Sequence, residues 1–149
     1  MNHLEYVGAD IFDRPNTNIR MNLEAASIAA NAFDAIICIH VLEHVTEDRK
    51  AMQELFRVLK PGGWALISAP LSLDKITYED STITSPEERK RAFGEQDHVR
   101  VYGYDLLDRL EESGFRVKLE SAETITKETS EKYGLLDDEN ILFCTKDQS

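Results

Sequence analysis

Four side chains able to hold a proton or a metal ion fall into two short stretches of the chain. His40, Glu43 and His44 crowd together in Ile39-His40-Val41-Leu42-Glu43-His44-Val45, and His98 stands in Asp97-His98-Val99-Arg100. Imidazole nitrogens and a carboxylate are donors that divalent ions take. An ion held by His40, Glu43, His44 and His98 would orient a substrate hydroxyl and lower its pKa. The same residues offer a second chemistry that needs no metal. Histidine titrates near neutral pH, so His40 or His98 can act as the general base of a proton transfer. A third reading is architectural: Glu43 or His44 caps the helix that follows or lines a pocket. Tyr78, Arg100 and Tyr102 lie in polar stretches nearby and are candidate substrate contacts, or simply surface groups.

The elements that position these groups are legible in the pattern. Phe33-Asp34-Ala35-Ile36-Ile37-Cys38-Ile39-His40 is a nearly continuous apolar run with β-branched residues, expected of a strand buried on both faces of a parallel sheet. A helix follows, with Thr46 as its N-cap, Glu47 and Asp48 as negative charge in its first turn, and Met52, Leu55, Phe56 and Leu59 as one apolar stripe. Lys60-Pro61-Gly62-Gly63 stops that helix by a tight reversal, and Trp64 to Ala69 resumes as strand. Pro70 to Thr84 is polar and irregular, long enough for a functional loop. Ser85-Pro86-Glu87-Glu88 is a capping box with proline at the first helical position, which predicts a short helix to about Phe93. Gly94 to Gly103 is a second loop, and Tyr104 to Ser113 an amphipathic helix on Leu106, Leu107 and Leu110, stopped by Gly114. Phe115 to Leu119 and Asn140 to Thr145 are closing strands, with a solvated acidic stretch, Glu128 to Glu139, between them.

Ahead of all this, Leu4 to Ile11 alternates as a strand ending on Asp10, Asp13 to Asn16 turns, and Asn18 to Leu23 forms a short second strand. Ala25 to Asn31 has no clear amphipathic face. Strand, helix and strand in alternation, then two closing strands, predict a single α/β domain with a mainly parallel, Rossmann-like sheet and an antiparallel carboxyl-terminal edge. Ligands of such sheets sit beyond the carboxyl ends of the strands. That rule picks out Asp10, the Asn22-Leu23-Glu24 segment, His40 and the residues after Ala69.

Bulk properties narrow the partners. The 149 residues carry a formal charge of -11, a surface that repels polyanions, so nucleic acid is an unsuitable general partner. The longest apolar runs are far too short to cross a bilayer, and the first residues lack the basic and apolar regions of a signal peptide. Cys38 and Cys144 lie singly inside apolar runs, which predicts reduced core thiols in a cytoplasmic protein rather than a disulfide or zinc site.

The run from Phe33 to Val45, with its Phe-Asp start and Leu42-Glu43-His44-Val45 end, resembles the fourth strand and following loop of class I S-adenosylmethionine (SAM) dependent methyltransferases of the methyltransferase type 11 kind. Its continuation from Met52 to Gly63, which contains RVLKPGG, is similar to that family's next helix and fifth-strand entry. The two motifs at this spacing are specific. YEDSTITSPEER, DHVRVYG and ESGF resemble the later insert and last helix of a bacterial branch acting on small substrates, so the resemblance runs from Leu4 onward.

The resemblance implies transfer of a methyl group from SAM to a small-molecule or sugar-type acceptor. It implies cofactor contacts at Asp10, on the ribose hydroxyls, at Asn22, Leu23 and Glu24, beside the adenine, and at His40. On the residues alone, Asp10 is equally a turn aspartate. Some O-methyltransferases hold a cation with a Glu-x-x-Glu-His segment and a distant histidine. Here His40 replaces the first glutamate, which shifts the preference toward a softer metal.

One family feature has no counterpart. The glycine-rich turn that takes the methionine end of SAM precedes the ribose carboxylate in the family, and no GxGxG turn precedes Asp10 in this sequence. The family's first strand lies at the sheet centre, so its removal leaves unpaired strand edges and exposed apolar faces. That predicts a homodimer or a rearranged amino terminus, or a strand encoded upstream of Met1. The alternative function is a catalytically inactive remnant kept as a binding or oligomerisation module.

Overall fold

The amino-terminal alternation forms less strand than its length predicts. In the computed structural model, which describes residues 5–121 and 140–148, only Ala9–Asp10 (β1) and Ile19–Arg20 (β2) pair, in parallel. The Gly8 carbonyl accepts from the amides of Asn18 and Ile19 and fixes their register. Ile11 and Phe12 remain more than half exposed, so no apolar burial extends the ribbon.

The main sheet is built as expected. Phe33–Ile39 (β3) runs parallel to Leu59–Ser68 (β4), which pairs antiparallel with Asn140–Thr145 (β9). Arg116–Ser121 (β8) closes the far edge, for an order β3-β4-β9-β8. Between these strands lie Leu71–Ser72 (β5), Tyr78–Glu79 (β6) and Arg100–Gly103 (β7), which form a small second sheet in the order β5-β7-β6. The two segments read as loops from sequence therefore pair with each other. Strands of two to four residues are too short to show a period. The acidic stretch Glu128 to Glu139 lies outside the described residues.

Helix α1 (Asp48–Val58) and helix α3 (Leu106–Glu112) pack on one face of the main sheet, and α2 (Pro86–Phe93) lies between them in sequence. The core joins Met52 and Leu55 of α1 and Leu106 and Leu110 of α3 to Cys38, Ala65, Ile67, Leu142 and Cys144 of three strands. The opposite face is bare: Ile37 is 68% exposed and Ile39 and Trp64 are each 38% exposed. The expectation that β3 is buried on both faces is therefore corrected. Its alternate residues do point to both sides, but the described residues place helices on only one. The outer edge of β3 pairs with no described strand, so β1 has not moved over to take the place beside it.

Local chemistry sets the helix ends. Ser85 accepts from the Glu88 amide and donates to its carboxylate, the capping box the sequence predicts. Helix α1 starts later than expected, with Glu47 rather than Thr46 as N-cap and no capping side chain of its own. The Thr46 carbonyl is held instead by the Arg100 guanidinium at 2.9 Å. At the other end the Lys146 ammonium donates to the carbonyls of Phe56 and Leu59, a cation placed on the negative end of the helix. Gly114 ends α3 at φ +108°, and a Cβ there would lie 2.8 Å from the Phe56 ring.

Candidate functional site

The end of β3 is bent into its site by an unusual backbone. His40 has φ +52°, the left-handed region that a β-branched residue avoids, while its amide still donates to the Ser68 carbonyl of β4 at 2.9 Å. The chain thereby leaves the sheet and enters a short 3-10 turn, Leu42–His44. Leu42 is fully buried in the core and anchors that turn. Glu43 is carried inward with it and is only 1% exposed, rare for a carboxylate without an ionic partner. Its Oε1 lies 3.2 Å from Nδ1 of His40, whose own side chain is 52% exposed. Its Oε2 has no hydrogen-bond partner among the described residues.

The later segment closes over this turn. The Val99 amide donates to the Glu43 carbonyl at 2.9 Å and so brings His98 beside His44. The two imidazoles meet edge to face, with ring centres 4.7 Å apart. Glu43, His44 and His98 present ligand atoms within 4.8 Å of one another. Three of the four candidate ligands thus lie together, and His40 stands outside the triad with its Nδ1 on Glu43 Oε1. Nδ1 of His44 lies 3.3 Å from the Asp97 carboxylate, and Nδ1 of His98 lies 3.3 Å from the Phe93 carbonyl.

Arg100 and Tyr102 answer to a different role from the exposed contacts the sequence predicted. Both lie in β7 and are buried, Tyr102 completely. Arg100 donates to the carbonyls of Leu42, Val45 and Thr46 and to the Glu79 carboxylate, which clamps the loop after β3. The Tyr102 hydroxyl donates to Asp48 Oδ2 at 2.9 Å, and burial followed by the nearby Asp48 charge pushes its phenol well above the ordinary range. Arg109 of α3 completes the cluster on Asp48, Glu79 and Asp105. Their polar atoms are committed to the scaffold, so Arg100 and Tyr102 position the site. Tyr78 remains half exposed, its ring 5.6 Å from Phe93.

Sequence reasoning missed Asp48 and Arg109 as members of this cluster. A signal was present for the arginine: Leu106, Arg109 and Leu110 share one helical face, where a charge must find a buried partner. Asp48 had the look of an ordinary first-turn acid.

At the other sheet the candidate nucleoside groups also engage their surroundings. Asp10 Oδ1 accepts from the Phe12 amide at 2.8 Å, a turn bond, and Oδ2 lies 3.3 Å from the exposed Arg14 guanidinium. Asn22 caps the 3-10 turn Leu23–Ala25 by accepting from the Glu24 amide. Leu23 packs on the core. Glu24 Oε1 accepts from the Glu47 amide at 2.7 Å, and this bond first, with Asn22 assisting, holds its carboxyl below the usual range against some desolvation. The bond ties Asn22–Glu24 to the start of α1, at the same end of the molecule as the loop after β3. An open cavity lies beside Asp10, lined by Tyr6, Gly8, Arg14 and Thr17 among others.

Residues 3–67 match the family described as methyltransferase domain. The chain is 45% identical over 49 residues to the ubiquinone/menaquinone biosynthesis C-methyltransferase of Salmonella arizonae, a stretch that covers 33% of this chain and 20% of that protein. The chain thus aligns with only about a fifth of the length of this curated relative. Among solved structures, the 1,6-didemethyltoxoflavin-N1-methyltransferase of Burkholderia thailandensis, crystallised with its acceptor and S-adenosylhomocysteine, superposes with a TM-score of 0.64 at 11% identity, over 95% of this chain and 60% of that one. A SAM-dependent methyltransferase of Mesorhizobium loti gives 0.58 at 16% identity, over 93% and 78%. The amino-terminal half of the chain thus matches the methyltransferase domain family in sequence, and the described residues share the α/β fold of these solved methyltransferases.

Proposed function

We propose that this chain carries SAM-dependent methyl transfer to a small-molecule or sugar-type acceptor, with the loop after β3 as the reacting end. The observation that carries the reading is the His40–Glu43 pair at the carboxyl end of β3, inside the segment that matches the family. With Nδ1 donating to the buried carboxylate, the imidazole keeps the lone pair of Nε2 for a proton. Half exposed, it is open to an acceptor O–H or N–H. In the chain without a bound ion, His98 is a second candidate base, held by its bond to Phe93.

The residues present fit the cofactor's nucleoside. Asp10 ends β1 with its carboxylate about one-third exposed, and its contact with Arg14 is a solvent-exposed pair that gives way readily to ligand hydroxyls. Asn22 and Glu24 offer donor and acceptor groups for the base, and Leu23 an apolar surface. When bound, SAM supplies a methyl group activated by its sulfonium charge. The chain's part is to align the acceptor and to take its proton. Small acceptors are supported by the 1,6-didemethyltoxoflavin bound in the Burkholderia structure, and polyanionic ones are disfavoured by the charge of -11. The family match favours this reading over an inactive remnant.

Two further points belong to the same proposal. A second copy of the chain covers the bare sheet face at Ile37, Ile39 and Trp64, supported by their exposure and by the free edge of β3. The setting is cytoplasmic, supported by Cys38 and Cys144 as separate buried thiols. The test of the reaction is transfer of labelled methyl from SAM to a panel of small hydroxyl, amine and sugar acceptors. Label should appear on at least one acceptor, and His40→Ala should lower kcat by at least about 100-fold with SAM binding retained. Equal turnover in His40→Ala and the parent would remove His40 from the reaction.

A further inference from the structure

Glu43 Oε2 is buried and has no hydrogen-bond partner among the described residues, and an ionised oxygen in that state costs several kcal/mol. Glu43, its turn neighbour His44 and the distant His98 each present a ligand atom, all within 4.8 Å of one another. Both imidazoles have Nδ1 beside an acceptor, Asp97 for His44 and Phe93 for His98. That arrangement sets each tautomer and leaves the lone pair on Nε2, the usual preparation of a metal-binding histidine.

We propose that Glu43, His44 and His98 bind one divalent transition ion of the zinc or cobalt class. Glu43 Oε2 and the two Nε2 atoms are the ligands, and a remaining position is open to solvent or to an acceptor oxygen. Two imidazoles and one carboxylate suit this class and not magnesium, which asks for six oxygens in near-ideal octahedral geometry. Bonds of about 2.0–2.2 Å require the ligand atoms to close from 4.8 Å to about 3.4 Å. Rotation of His44, which is 36% exposed, supplies most of that movement. Through its bond to Oε1, His40 would also orient the Glu43 carboxylate for the ion, beside its proposed part in proton transfer. The site stands independently of methyl transfer, because no part of it uses the cofactor.

The experiment is titration of the purified, metal-free chain with cobalt(II), read by its visible d–d absorption, followed by displacement with zinc(II) and magnesium(II). The expected result is one equivalent bound with the intense band of a low-coordinate site, bleached by zinc and untouched by millimolar magnesium. His44→Ala alters an exposed ring, and should weaken binding at least about 10-fold with an unchanged circular dichroism spectrum. His98→Ala should do the same, and His40→Ala should shift the band and weaken binding less. The proposal is overturned by absence of a band up to millimolar cobalt, or by equal affinity in the parent, His44→Ala and His98→Ala. The first result would leave the triad without an ion, and the second would put the ion elsewhere on the acidic surface.

Discussion

Asp48 shows how much of the site depends on a residue that touches no ligand. It receives the Tyr102 hydroxyl and one Arg109 nitrogen, at 2.9 and 2.8 Å, and is nearly buried. Removing one member of a buried charge cluster leaves the others desolvated without a partner, which costs more than the intact cluster contributes. Asp48→Ala should therefore lower the free energy of unfolding by about 3 kcal/mol or more, read from the denaturant midpoint. A loss under about 0.5 kcal/mol would mean that water replaces the carboxylate. The thiols make a second residue-scale prediction. Burial pushes both Cys38 and Cys144 up to about 12, with the Glu43 charge adding to the effect on Cys38. Both should resist a thiol reagent at pH 8 in the native state and react fully in denaturant. The cluster at His40, Glu43, His44 and His98 was readable because its members are chemically conspicuous. The burial of Arg100 and Tyr102 was not, because a four-residue strand inside polar sequence carries no period.

Elements with their own local chemistry were the legible part of the fold. The capping box at Ser85, the proline behind it and the glycine at 94 bound α2 at the residues they mark. The start of α1 was misread by one position because its orphan amide is met from outside, by Glu24. No local pattern announces a cap that is 23 residues away. The Glu24 carboxyl is held below its ordinary value, chiefly by that amide, so its stabilising effect is present above the unfolded-state pKa. It is lost as pH falls through the lower folded-state value. Glu24→Gln should cost about 1 kcal/mol at pH 7, the size of a lost helix cap, and the difference from the parent should shrink to near zero below about pH 3. A difference that is the same at both pH values would assign the cost to packing rather than to charge.

At the scale of the molecule, one face of the main sheet carries both helices and the other carries Ile37, Ile39 and Trp64 in the open. The apolar run of β3 could not reveal this, because a strand built for two covered faces has the same sequence whether the second cover lies within the described residues or beyond them. The proposed homodimer would cover that face, and light scattering should then give about twice the 17.0 kDa chain mass at micromolar concentration. Ile37→Asp should release monomers, whereas a parent that is monomeric throughout would remove the second copy from the account. The central proposal is that this chain binds SAM as a methyltransferase domain. Calorimetric titration of the chain with S-adenosylhomocysteine tests it most directly, with Asp10→Ala beside the parent. The account predicts micromolar affinity, reduced at least about 10-fold by loss of the carboxylate proposed to meet the ribose; no heat of binding at millimolar ligand, in a chain shown to be folded, would contradict it.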